Sequence, residues 1–155
     1  MHILISQDNH ARPDIRTLTI RDGEKWRVEF GDLSESRTKV FLSEVVKDGE
    51  DPVVRSEMAD QAKFIENIFA AAQDPDYMPF LGEVLSKGRK VLKFRLADGE
   101  IIFIDKEFST LVRWESDKWL EIYTPQDLSD AQWANAFTDT NSWMNAMASD
   151  LDIVH

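Results

Sequence analysis

The chain has 155 residues, 43% hydrophobic and 30% charged, with 6 Gly and 5 Pro, which fits one globular domain over 1–155 and excludes disordered and fibrous classes. It has no cysteine, and its histidines stand only at His2, His10 and His155, so disulfide scaffolds, thiol nucleophiles and zinc sites of the usual spacing are excluded. The 29 acids against 18 Lys and Arg leave −11 at pH 7, a charge that repels phosphate backbones and anionic lipid headgroups.

The first ten residues hold a short apolar stretch that falls well below a secretory core, and no run approaches the roughly 18 apolar residues of a membrane span. Gly does not follow Met1, and no Cys is present to accept a lipid. A cytoplasmic protein that binds neither nucleic acid nor membrane is the expectation.

Turn signals organise the first part of the chain. Asp22-Gly23, Asp48-Gly49 and Asp98-Gly99 each lie between β-rich runs and predict hairpin corners. In the first hairpin, over 15–30, gathering Leu18, Ile20, Trp26, Val28 and Phe30 on one face requires a three-residue turn at Asp22-Gly23-Glu24. A strand over 39–46 follows and ends at Asp48-Gly49. From Ser56, a plausible N-cap, Met58, Ala62, Ile65, Ile68, Phe69 and Ala72 recur at helical steps up to Asp74-Pro75. A short helical turn is predicted over 77–86.

At Asp98-Gly99 a two-residue turn pairs Leu96 with Ile101 and Phe94 with Phe103, and the apolar run 101–104 reads as an inner strand covered on both sides. A third hairpin, over 110–124, turns at Ser116-Asp117 and sets Trp114 opposite Trp119. Helices are then predicted over 130–137 after Ser129, and over 142–154 after Asn141, the latter with a stripe of Trp143, Met147, Leu151 and Val154. The resulting expectation is a single α+β domain, mainly an antiparallel sheet built from hairpins, with one central helix and C-terminal helices packed on one face.

No phosphate loop, nucleophile elbow, His-Glu-x-x-His or calcium-loop pattern is present, so no catalytic residue, metal site or cofactor is assigned and no enzyme is expected. The tightest carboxylate pair is Asp74-Pro75-Asp76, which suits a magnesium ligand set or a solvated helix end. A basic island of Lys87, Arg89, Lys90, Lys93 and Arg95 places Arg89, Lys93 and Arg95 on one strand face, opposite Leu92 and Phe94. It suits a phosphate, an acidic partner segment or a plain solvent face.

Of the five tryptophans, Trp26, Trp133 and Trp143 fall on apolar stripes, whereas Trp114 and Trp119 are the candidates for exposure. The clearest asymmetry is electrostatic. Residues 119–155 contain no Lys or Arg and carry Glu121, Asp127, Asp130, Asp139, Asp150 and Asp152, or −6, against −5 from 23 acids and 18 bases over 1–118. Concentrated acidity of this kind fits a basic protein partner. The expected partner-binding set is Asp127, Asp130, Asp139, Asp150 and Asp152, with Trp114 and Trp119 as anchors.

In size, acidity, lack of cysteine and lack of a catalytic motif, the chain resembles the immunity proteins that bacteria make against secreted toxins. The likeness implies a stoichiometric inhibitor with a toxin as its basic partner; no family motif carries it, so no residue role is taken from it. The alternatives are a small carboxylate- or magnesium-dependent enzyme using Asp74 and Asp76, and an assembly chaperone or phage accessory factor.

Overall fold

The computed structural model describes residues 2–144 apart from His10, Lys87, Ser109 and Trp119. Strands β1 (Ile3–Asn9), β2 (Arg12–Asp22), β3 (Lys25–Asp32) and β4 (Arg37–Leu42) lead into helix α1 (Pro52–Ala71). Strands β5 (Phe80–Ser86), β6 (Arg89–Arg95), β7 (Ile101–Asp105), β8 (Thr110–Glu115) and β9 (Leu120–Asp127) follow, and then helix α2 (Asp130–Asn135). All strands join one antiparallel sheet in the order β4-β3-β2-β1-β9-β8-β7-β6-β5. The chain starts mid-sheet and meanders to one edge, and α1 then links that edge strand to the other, from which a second meander returns to β1. The result is a mixed α+β domain dominated by antiparallel sheet, and among the described residues no helix is long and apolar enough to cross a membrane.

The helix α1 covers one face. Trp26 and Val28 pack there with Ala62, Met58 and Ala59, while Phe94, Ile102, Ile104, Leu111 and Tyr123 pack with Phe64, Ile68, Ala71 and Ala72. On the other face, Leu4, Leu18 and Ile20 pack with Leu128, Ala136, Phe137 and Met144, flanked by Trp133 and Trp143. The helices thus do not share one face as expected. Each half of the sheet buries apolar side chains on the face that α1 covers, and the first meander also buries its second face under α2 and the chain that follows it.

That double coverage explains the first misread register. Asp22 pairs with Lys25 across a two-residue loop in which Gly23 has φ +61°. Leu18 and Ile20 therefore lie on the face opposite Trp26, Val28 and Phe30, and two apolar faces are satisfied in place of one. At Asp98-Gly99 the loop is longer than expected: Leu96 N–H donates to the Glu100 carbonyl at 2.8 Å and Gly99, at φ +89°, donates to Leu96 at 3.0 Å. Phe94 consequently faces Ile102 and Lys93 faces Phe103, one residue off the predicted pairing. β7 is an inner strand, as read from its sequence, but only one face is covered: Ile102 and Ile104 are buried on the side of α1, while Ile101 and Phe103 on the other face are only partly buried.

Asp48-Gly49 is not a hairpin corner. The strand ends at Leu42, apart from an isolated bridge to Val45, and the corner feeds α1. The helix begins at Pro52, with Asp51 rather than Ser56 as its cap; Asp51 Oδ1 accepts the Val53 N–H at 2.9 Å. Proline suits the first helical position because its missing N–H would have no partner there. Asp51→Ala is expected to cost about 1 kcal/mol, read as a lowered denaturation midpoint with an unchanged slope.

Residues 77–86 hold no helix; β5 occupies Phe80–Ser86 as an edge strand, with a bulge at Leu81 between Phe80 and Gly82. The predicted helix after Ser129 is present as α2, closed by a capping box in which Ser129 Oγ accepts the Gln132 N–H and Gln132 Oε1 accepts the Ser129 N–H. The predicted helix over 142–154 falls almost entirely outside the described residues.

Candidate functional site

The acidic stretch begins at the junction of β9 and α2. The capping box turns the chain sharply there, leaving Asp127 and Asp130 exposed. Both engage His2: Asp127 Oδ1 accepts its backbone N–H at 3.0 Å, and Asp130 Oδ1 lies 2.9 Å from Nε2. The His2 ring stacks on Trp133 with centroids 4.6 Å apart, which ties the start of β1 to α2. The Asp130 side chain is 100% exposed.

The other described acids of this stretch serve the fold. Glu121 accepts the hydroxyl of buried Tyr123, whose pKa is pushed up by burial and then by that carboxylate. Asp139 Oδ2 accepts the Trp143 indole N–H at 2.9 Å and Oδ1 accepts the Asn141 N–H at 3.0 Å. These bonds, the indole first, hold its carboxyl below the usual range. Asp139 is a loop-fastening residue rather than a free surface charge. Asp150, Asp152 and Trp119 lie outside the described residues.

Trp114 is half-buried against α1. Its ring stacks on Phe64 at 5.3 Å and 5°, and its indole N–H donates to Glu100 at 3.0 Å. It faces Glu121, not Trp119, across the hairpin. The hairpin closes with Glu115 opposite Leu120, a longer loop than the predicted two-residue turn, and a bulge against β7, where Phe103 pairs with Arg113 but Ile104 with Leu111, leaves Val112 without an opposite number and brings Leu111 and Trp114 to the same face.

Beneath the acidic segment lies a buried pair that the sequence reading missed. Arg27 and Glu29, two residues apart on β3, are almost fully buried, with Arg27 Nε 2.9 Å from Glu29 Oε2. Arg27 donates to the carbonyls of Ala136, Asp139 and Asn141, and its guanidinium lies 4.4 Å from the Trp143 ring centroid. Glu29 Oε1 accepts the Ser142 hydroxyl at 2.7 Å and the Trp143 N–H at 2.9 Å. One cation binds carbonyls and one carboxylate binds N–H groups, so the pair satisfies a loop that has no ladder of its own.

The remaining candidates divide clearly. Asp74 Oδ1 accepts the Asp76 N–H at 3.0 Å and its carbonyl accepts from Tyr77 and Met78, so this carboxylate closes a turn. Among the described residues no three potential ligands cluster to hold a metal ion. In the basic island, Arg89 is spent on Asp105 at 2.6 and 3.0 Å, while Lys93 lies 5.8 Å from the Phe103 ring centroid. A cleft of about 250 Å³ beside α1 is lined in part by Gln7, Asn9, Arg12, Phe30, Met58 and Gln61, just under the about 300 Å³ at which small-molecule sites begin.

The sheet edge carries the least protected apolar surface. Tyr77 is 62% and Leu85 74% exposed, with Phe80, Leu81 and Val84 exposed between them. No family model matches the chain, and no curated protein matches it in sequence.

Proposed function

We propose that the chain is a non-catalytic, stoichiometric protein-binding domain of the inhibitor or immunity type, whose acidic corner at Asp127 and Asp130 steers a basic partner protein. The observation that supports it most is the exposure of these two carboxylates in a stretch without Lys or Arg, where their described neighbour is His2. Charge matching of this kind speeds encounter and selects the partner, while affinity comes from apolar contacts. Asp139 and Trp114, held in the fold, drop out of the contact set.

Affinity capture on the immobilised full chain tests the reading. At about 50 mM salt the wild type should recover one basic protein in a one-to-one ratio. Asp127→Asn with Asp130→Asn should recover several-fold less while melting within about 1 kcal/mol of wild type, since exposed substitutions cost about 0.5 kcal/mol or less each. Recovery of an acidic partner, or equal recovery by the double variant, overturns it.

A further inference from the structure

We propose that the outer edge of β5 is a docking site that receives an extended acidic and apolar segment of a partner protein as a tenth strand. It stands independently of the acidic corner, on a different edge of the molecule and with the opposite charge preference.

β5 ends the sheet, so its outward N–H and C=O groups have no strand partner among the described residues. Proteins protect such edges with charges or by making them short; this one is seven residues long and carries Phe80, Leu81, Val84 and Leu85 exposed. The Leu81 bulge disturbs only its start, and Gly82–Ser86 pair regularly with β6.

The charge around the edge selects the occupant. Residues 77–95 carry Lys87, Arg89, Lys90, Lys93 and Arg95 against Glu83 alone, a basic hairpin on a chain of net charge −11. Glu83 is engaged by Lys106 at 3.0 Å and Arg89 by Asp105. Lys93 and Lys90 make no ion pair among the described residues. Lys93 stands opposite Gly82, where a Cβ would meet nothing within 4 Å. Its ammonium lies over the Phe103 ring of β7, 5.8 Å from the centroid, so it acts on an added strand as part of the hairpin's positive field rather than by direct contact.

A second copy pairing through its own β5 would set two basic hairpins side by side, which like-charge repulsion disfavours. An acidic and apolar strand gains both the backbone bonds and the charge match. This mode of recognition takes its affinity from the main chain and its specificity from alternate side chains.

The test uses the full-length, isotopically labelled protein and two capped octapeptides, one alternating Val or Ile with Asp or Glu, the other with Lys in place of every acid. Titration followed by amide NMR should show shifts and slowed hydrogen exchange confined to β5 and β6. The acidic peptide should bind about tenfold more tightly. Lys90→Glu with Lys93→Glu should erase that preference, and Leu85→Asp should weaken binding, each with an otherwise native spectrum. The proposal is overturned if neither peptide binds at millimolar concentration, if both bind equally, or if the shifts lie elsewhere. Slow exchange of β5 amides in the free protein also overturns it, pointing to a second copy if it depends on concentration and to the chain's own C-terminal segment if it does not.

Discussion

Glu29→Ala should destabilise the protein by about 3–5 kcal/mol, the cost of breaking a buried ion pair from one side. The carboxylate sits fully buried, and its loss leaves the Arg27 guanidinium without its counter-charge and the Trp143 N–H without its acceptor. Denaturant unfolding gives the magnitude. Amide exchange gives the location: the Ala136–Met144 stretch should lose protection first, because its polar groups depend on this pair rather than on a ladder. Glu29→Gln, which keeps an acceptor, should fall between wild type and Ala. A loss below about 1 kcal/mol would show that the pair is not what fastens this segment.

Asp105→Ala should cost about 2–3 kcal/mol and flatten the acid limb of the stability curve. The carboxylate is buried, bound at two points by Arg89, and accepts the Glu107 and Phe108 N–H groups at 2.9 and 3.0 Å. Burial alone would raise its pKa, but the Arg89 hydrogen bond and the Phe108 amide outweigh burial and lower it from 3.8. A carboxyl whose folded pKa lies below its unfolded value stabilises above the unfolded pKa and loses that stabilisation as pH falls through the folded one. Asp139, lowered by the Trp143 indole, acts in the same direction. Wild type should therefore lose stability steeply below about pH 4, and Asp105→Ala less steeply. An unchanged acid limb would assign the effect to other carboxyls.

What the sequence disclosed depended on how far each determinant reached. α2 was legible because its capping box lies within four residues, and α1 because its apolar repeat faces one surface. The strand registers were not, since Asp-Gly pairs close loops of different length and only the second covered face shows which is used. The most instructive misreading is at β5. Tyr77, Phe80, Leu81, Val84 and Leu85 follow helical spacing, and on a strand that spacing exposes apolar side chains on both faces of the edge. Pro79, which breaks the pattern near its start, was the available warning. At the acidic surface, Asp127 and Asp130 are exposed, in keeping with the charge pattern. The side chain of Asp139 bonds within four residues, but the place its loop takes on the sheet depends on Arg27, which binds carbonyls more than a hundred positions away, and no local pattern encodes such a contact.

The association rate constant with the captured basic partner, measured against ionic strength for wild type and for Asp127→Asn with Asp130→Asn, tests the steering role most directly. Wild-type association should fall steeply as salt rises, the double variant should associate several-fold more slowly at low salt, and the two should converge near 1 M, where the Debye length is about 3 Å. Dissociation should change little. Identical rates for the two proteins at every ionic strength would contradict the steering role and reduce the acidic corner to a surface that merely carries charge.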